Sequence, residues 1–400
     1  MRNDPEPLPL KLAYVVDTLV TGGAERLVVT FARATRNRPD IDLTVFVLSG
    51  GGTPFSNELE QMGIEVVYLP GKSLIDVRRF LRLVSELRKQ PFDYVHAHLI
   101  SSTVLGGWAA AILRLPFATT IHNVKASTAR VRKLRGALYR SVLKMPGTVR
   151  IAVGQAVAEA ARTDTGGRDC IVVPNAVSPE VVAPPGARAA TRAQLEVEDR
   201  KVLIAVGAII GQKAYENLLV TYSQVSLQMP DTILLVVGNA PDLERYENLQ
   251  KQAQDLGITE RVRFLGLRQD VPELLSAADL FVSASHWEGL PVSVLEAMAN
   301  GIPCVVTDVG DNALILDGTG APVVPPGQPG TLAEAVLDLL QDDSAQEHIG
   351  QAVRTQVIEH YGVDAWVNKL VDIYKNAGHL NRRRRRSVPH LAANSGDSAP

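Results

Sequence analysis

The residues Leu280-Phe-Val-Ser-Ala-Ser-His-Trp-Glu288-Gly-Leu-Pro291-Val-Ser-Val-Leu-Glu296-Ala-Met298 read as a strand, a charged loop and a helix in succession. The apolar run 280–284 has the length and composition of a buried strand. Proline fits the first turn of a helix, where its missing N–H is not needed, so a helix is predicted to start near Pro291. Leu295 and Met298 are available for its packing. Glu288 then lies on the loop at the carboxyl end of the strand and Glu296 on the first turns of the helix, so both acids can line one cleft. A carboxylate accepts two hydrogen bonds at once, which suits a ribose diol or sugar hydroxyls, and the free N–H groups of a helix N-terminus suit phosphate. Without neighbours the same pair reads equally well as a loop acid and an acid on a solvated helix face.

The strand-then-helix rhythm continues outward on both sides. Apolar runs recur at 12–16, 43–48, 64–69, 94–98, 117–121, 149–153 and 171–173, with helical periodicity between them. The rhythm stops at Ser178, resumes at 201–206 and continues through 232–237, 262–265, 280–284 and 302–306. This alternation predicts parallel strands with crossover helices. The expected fold is α/β, with two facing Rossmann-like, doubly wound parallel-sheet domains and a ligand cleft between the carboxyl ends of their strands. The expected bounds are an N-terminal Rossmann-like domain at 1–180, a linker at 181–199 rich in Pro, Gly and Ala, and a C-terminal Rossmann-like domain at 200–360. A helix at 361–378, with Trp366, Leu370, Ile373 and Tyr374 on one side, is placed to pack back across the junction. The tail 379–400, which includes Arg382 to Arg386, has no means of building a core and is expected to be disordered.

Composition narrows the class. A chain of 400 residues, 46% hydrophobic and 21% charged, is long enough for about two cores. A net charge of -2 gives no global attraction to nucleic acid. Cys170 and Cys304, far apart, make neither a disulfide framework nor a zinc motif, which fits a reducing compartment. The polar opening and the break at Asp17 leave no signal-peptide core, and the apolar stretch 108–113, ended by Arg114 and Pro116, is too short to span a bilayer. The expectation is a cytoplasmic protein whose membrane contact is at most peripheral, at the inner face.

Further chemistry-bearing groups fall at strand ends. Thr21-Gly22-Gly23 follows the first strand, where glycine lets backbone N–H groups approach a phosphate or sugar; elsewhere such a pair is an ordinary turn. His122 ends a strand facing the same cleft, and Lys213 follows the first strand of the second half. His96 and His98 share one strand face at a spacing that could ligate metal, but no third ligand is apparent, so a structural role or a role on the ligand side of the first domain is expected. Asp40 and Asp42 precede their strand and read as turn or strand-edge acids. Between Ile121 and Arg150 there are eight Lys/Arg and no acid, with Val131, Leu134, Leu138, Val142 and Met145 at helical spacing beside Arg132, Arg135, Arg140 and Lys144. Such a helix suits either a core-packed element with a solvated basic side or contact with an anionic membrane surface, with the arginine tail as a second anchor.

Several of these motifs, in this order, carry a resemblance: Gly22-Gly23-Ala-Glu, His122, Val173-Pro-Asn175, Lys213, the Glu288/Glu296 pair in Glu-Gly-Leu-Pro, and Ala297-Met-Ala-Asn-Gly-Ile-Pro-Cys304. Over residues 11–374 the chain resembles the retaining glycosyltransferases of family 4, which have the two-domain GT-B fold. The resemblance implies transfer of a hexose-type sugar, with retention, from a nucleotide diphosphate sugar to a glycan or lipid-linked acceptor in polysaccharide or glycolipid synthesis. It implies no cofactor, no metal and no nucleic-acid partner. Glu296 would hold the ribose and Glu288 the donor sugar, with Gly289 and Leu290 beside it. His122 would contact the sugar, and Lys213 would neutralise the diphosphate. Gly22, Gly23, Gly207 and the backbone from Gly266 to Arg268 would complete the donor wall. Glu288, His122 and Lys213 form the implied catalytic set. No carboxylate is an obvious nucleophile, so the implied route has the leaving phosphate take the acceptor's proton on the same face of the sugar. In one respect the chain departs from the pattern: Gly207 is followed by Ala208, where the family usually has arginine, and Arg268 is the candidate substitute. A catalytically weak sugar-nucleotide-binding homologue and a GT-B-like epimerase are the alternatives. A nicotinamide dehydrogenase is disfavoured because the three-glycine fingerprint is incomplete.

Overall fold

The computed structural model describes residues 8–20, 22–74, 76–124 and 130–386. Thr21 lies outside them, as do Lys125 and the side chains of Val131 and Arg132. In the first sheet, β1 (Leu10–Val16), β2 (Ile41–Val47), β3 (Glu65–Tyr68), β4 (Tyr94–His98), β5 (Phe117–Ile121), β6 (Thr148–Ala152) and β7 (Ile171–Val172) run in the order β3-β2-β1-β4-β5-β6-β7. In the second, β8 (Lys201–Val206), β9 (Thr232–Val237), β10 (Val262–Gly266), β11 (Leu280–Ser283), β12 (Cys304–Thr307) and β13 (Val323–Val324) run in the order β10-β9-β8-β11-β12-β13. Every pairing in both sheets is parallel. Parallel strands covered by helices on both faces must be apolar throughout, and β1, β8 and β9 are accordingly buried over almost their whole length.

The strand order reverses between β1 and β4 in one sheet and between β8 and β11 in the other. At such a reversal the outgoing connections leave on opposite faces and open a crevice beyond the carboxyl ends. The segments that leave there are those after β1, β4, β8 and β11, which carry Gly22, Leu99, Gly207 to Lys213, and Glu288. The short β13 escaped the sequence reading because its two valines stand between Pro322 and Pro325, which read as loop.

The stretch 181–199 is more ordered than a linker. The helix Ala187–Gln194 lies within it and packs on the helix Val271–Ala277 of the second sheet. Arg188 and Arg192 both pair with Asp279 (2.6 and 3.2 Å), and Asp279 also accepts from the Val202 N–H at 2.7 Å. Proline, glycine and the alanine-rich composition led to the linker reading, which overlooked both this helix and its docking arginines.

The last helix, Val363–Arg386, crosses back to the first sheet, where Trp366, Leu370 and Tyr374 join the core formed by Tyr14, Phe31 and Tyr94. Its backbone stays helical through the arginine run, in contrast to the expected disorder, up to Arg386. The remainder of the expected tail, 387–400, lies outside the described residues. A continuous apolar cluster also runs across the junction, with Val104, Ile121, Val153 and Val157 of the first sheet joining Leu290 and Val294 of the second.

Candidate active site

The second-domain wall is organised around Glu288, which is 4% exposed. Lys213 Nζ donates to its Oε1 at 2.6 Å, Ser285 Oγ to the same oxygen at 2.7 Å, and Gln212 Nε2 to Oε2 at 2.9 Å. A carboxylate has about four lone-pair sites, so roughly one stays open to a ligand hydroxyl. Burying a carboxylate is costly unless it is paired and hydrogen-bonded to this degree. Backbone geometry makes the pairing possible. A Cβ on Gly207 would come within 2.9 Å of the Lys213 Cε, so the glycine leaves the track along which the lysine stem crosses the end of β8. Ala214, fully buried, follows Lys213 at φ 48, a left-handed conformation that fixes where the lysine leaves the chain. His286 N–H bonds the Gln212 carbonyl at 2.8 Å and ties the two loops together.

Glu296 is placed one helix away on Val292–Ala299, with Pro291 as the extended N-cap residue and not the first helical one. It is 8% exposed, and its charged neighbour comes from the other domain: Arg26 Nε lies 3.9 Å from Oε1. Burial raises the Glu296 pKa above the usual carboxylate range, and Arg26 works against that rise. The Arg26 guanidinium also rests 4.9 Å over the Phe55 ring. Arg26 stands in the helix Gly23–Thr35, whose N-cap Gly22 makes no side-chain cap bond. A Cβ on Gly23 would meet the Val292 side chain at 3.4 Å, so the starts of the two helices face each other across the cleft.

His122 enters from the first domain after β5. Its carbonyl oxygen would lie 2.4 Å from a Cβ on Gly289, so that glycine is where the first domain presses on the Glu288 loop. Its Nε2 lies 3.2 Å from His98 Nδ1. Burial lowers the His122 pKa to about 4, so the ring is neutral near pH 7. His96 bonds Tyr374 Oη at 2.6 Å and Thr120 Oγ1 at 2.8 Å, which makes it part of a buried polar core. Among the described residues no group of three His, Cys, Asp or Glu could hold a metal ion.

Glu288, Lys213, Gly207, Gly289, His122, Gly22, Gly23 and Glu296 therefore converge on one cleft. The side chain of Leu290 belongs to the core, and its carbonyl accepts from Asn175 Nδ2 of the first domain at 2.7 Å. Gly266 ends β10, two strands from β8 or roughly 10 Å along the sheet. Arg268 there is held by Asp270 through both of its bonds, at 2.7 and 2.5 Å, and stays at the rim. Asp40, directly before β2, pairs with Arg38 and Lys375, whereas Asp42 lies inside the strand as its second residue and not before it, and pairs with Lys11; both stand at the amino end of β2, away from the cleft. Sequence reasoning missed Arg26, Gln212 and Ser285. Arg26 stood directly after a quoted motif, whereas the others carry no pattern until the loops are folded.

A protein with two doubly wound sheets, facing crevices, one acid held by a lysine and a second acid facing an arginine of the other domain is built to grip a polar ligand between its domains. Two family models divide the chain: Glycosyltransferase Family 4 matches residues 21–181, and Glycosyl transferases group 1 matches 187–356. The chain belongs to the GT-B glycosyltransferases of family 4. It is 25% identical, over 75% of its length and 79% of the relative's, to the UDP-Gal:alpha-D-GlcNAc-diphosphoundecaprenol alpha-1,3-galactosyltransferase of Escherichia coli. It is also 25% identical, over 89% of its length and 93% of the relative's, to the phosphatidyl-myo-inositol mannosyltransferase of Mycobacterium leprae (strain TN). The crystal structure of Anabaena HepE in complex with UDP-glucose superposes with a TM-score of 0.83 at 22% identity, covering 92% of this chain and 99% of that one.

Proposed function

We propose that the protein transfers a hexose-type sugar from a nucleotide diphosphate sugar to a glycan or lipid-linked acceptor, with retention of configuration, in glycolipid or polysaccharide synthesis. The observation that carries this reading is the convergence of Lys213, Glu288 and Glu296 on the first-domain residues Arg26 and His122. Glu296 accepts from the ribose, the open site on Glu288 accepts from a sugar hydroxyl, and His122 meets the sugar from the other side. The leaving diphosphate gains negative charge as the C1–O bond breaks. Lys213, fixed beforehand, therefore stabilises the transition state more than the ground state. No resident metal or other cofactor enters this reading, since the protein's own cation and helix N–H groups meet that charge. Glu288 is bound to Lys213, Ser285 and Gln212 and makes a poor nucleophile. The reading therefore has the acceptor oxygen bond to C1 on the face the phosphate leaves, its proton passing to the departing phosphate oxygen. Closing of the domains limits hydrolysis.

The test is a panel of nucleotide sugars, UDP-glucose first, assayed for binding and for release of nucleoside diphosphate with the native protein, Glu296→Ala and Lys213→Ala. Glu296→Ala is expected to weaken binding about tenfold or more, and Lys213→Ala to lower turnover about a hundredfold. Binding of no nucleotide sugar defeats the reading. Binding without turnover against any acceptor favours the weak homologue, for which Ala208 and the locally paired Arg268 speak.

For the acceptor side we propose contact with an anionic lipid surface at the inner face of a membrane. Three neighbouring helices, Val77–Lys89, Ile100–Leu113 and Arg130–Leu143, expose Leu81, Trp108, Ile112 and Leu134 beside exposed cations such as Arg82 and Lys133. Apolar groups flanked by cations match an anionic headgroup layer. Among the described residues no helix is long and apolar enough to cross a membrane. Anionic vesicles are expected to retain the protein in a salt-sensitive way, and equal retention by neutral vesicles overturns this part.

A further inference from the structure

Asp311 follows β12 in the second domain and is 4% exposed, yet it forms no ion pair among the described residues. Its carboxylate crosses to the first domain, where Oδ2 accepts from the Gln155 N–H at 2.7 Å and Oδ1 from the Ala156 N–H at 2.8 Å. These are orphan donors of the helix Gln155–Thr165, whose N-cap is Gly154 and lacks a capping side chain. A Cβ on Gly154 would stand 2.2 Å from Oδ2, so the cap position is empty of side chain where the foreign carboxylate sits. The helix is thus capped in trans.

The same residue holds the loop that carries Glu288. Its backbone N–H donates to the Gly289 carbonyl at 3.0 Å. Gly310, at φ 60, lies against the Glu288 and Gly289 carbonyls, where a Cβ would come within 2.2 Å of the Gly289 oxygen. One short turn therefore supports the Glu288 loop with its backbone and grips the opposite domain with its side chain. From these contacts we infer that Asp311 is a positioning residue: its trans cap transmits domain closure to the Glu288–Gly289 loop, so that the sugar-binding carboxylate, already held by Lys213, Ser285 and Gln212 of its own domain, is brought to its final position as the cleft shuts. This rests on Glu288 being the sugar-binding acid, as proposed above. Closure pulls the 310–311 turn towards the first domain, and the turn carries the Gly289 carbonyl with it. An open cleft leaves the carboxylate without its two N–H partners and the loop free to relax.

The test compares Asp311→Ala with the double variant Asp311→Ala, Gly154→Ser, in which a serine caps the helix from its own chain position. Asp311→Ala is expected to lower turnover of UDP-glucose, or of whichever nucleotide sugar the native protein uses, about tenfold or more, because misplacement of a reacting group is expensive in rate. Affinity for UDP alone should stay unchanged. The serine variant should recover the thermal midpoint lost, about 2–4 °C, without recovering turnover. Restoration of native turnover by serine shows that Asp311 is only a cap and overturns the inference, as does an equal loss of UDP affinity. Amide exchange provides an arm that needs no donor. In Asp311→Ala the peptides spanning 154–158 and 286–292 should both exchange faster, and serine should re-protect only the first. Unchanged protection of 286–292 overturns the inference even if every nucleotide sugar fails to bind, a failure that would count against the functional reading alone.

Discussion

Arg26 and Glu296 approach to 3.9 Å from opposite domains, close enough to feel one another's charge and too far for a direct hydrogen bond. Their separation links donor binding to pH. Burial holds the Glu296 pKa up and Arg26 holds it down, so Arg26→Gln should raise it further. A carboxylate accepts ribose hydroxyls best when ionised. Donor affinity should therefore fall as pH drops through the Glu296 pKa, and in Arg26→Gln the fall should begin at higher pH. Calorimetric titration with UDP-glucose from pH 5 to 8 checks this; a midpoint that stays put or moves down removes Arg26 from the site's electrostatics. Both acids and Lys213 were legible because each follows an apolar run and falls in a motif that resembles the family's, while the sheet reversals beneath them show only in the structure. Arg26 was harder to find, since its partner lies in the other domain, 270 residues along the chain.

At the scale of elements, the closing helix Val363–Arg386 is bound to the first sheet by a polar chain inside an apolar core. Tyr374 Oη lies 2.6 Å from Tyr14 Oη and 2.6 Å from His96 Nδ1. Tyr374→Phe leaves both partners buried and short of a bond, which should destabilise the fold by about 1–3 kcal/mol in denaturant unfolding. The neighbouring imidazoles make the same region sensitive to acid. Burial, with a smaller contribution from His122, lowers His96 from 6.5 to about 3, and burial lowers His98 well below 6.5. The unfolded chain therefore binds more protons than the native one below pH 6.5. Stability is fully present above that pH and is lost as pH falls through the window towards about 3, at up to about 1.4 kcal/mol per pH unit for each ring. Thermal midpoints between pH 7 and 4 should show this slope, and His96→Asn should flatten it. The apolar spacing of Trp366, Leu370 and Tyr374 showed in the sequence that this helix had a face to bury. Which groups its hydroxyl would meet depended on strand order, which periodicity does not encode.

For the whole molecule, the architecture of two parallel sheets was readable because parallel strands must be apolar on both faces and are spaced by helices. The junction was not, because the helix Ala187–Gln194 is held by arginine side chains to Asp279 and not by an apolar stripe. The chain crosses between the sheets twice, once near Val177, which bonds the Tyr361 carbonyl at 3.0 Å, and again as Val363–Arg386. Removal of residues 363–400 should strip the first sheet of Trp366, Leu370 and Tyr374 while leaving the second sheet's own core intact. Unfolding should then split into two transitions, the first-sheet one shifted down by more than 10 °C as roughly 5 kcal/mol of buried side chains is lost. A single unshifted transition would show that the closing helix is dispensable.

That second crossing also bears on biosynthesis. Residues 10–172 leave the ribosome before residues 201–361, yet the apolar face of their sheet is completed by Trp366, Leu370 and Tyr374, which follow both. The first half must wait, with Tyr14, Phe31 and Tyr94 incompletely covered, while the whole second half is translated. The second domain, with no such debt, can settle as it emerges. The half made first is therefore the one finished last, and it is the half more exposed to chaperones and proteases in between.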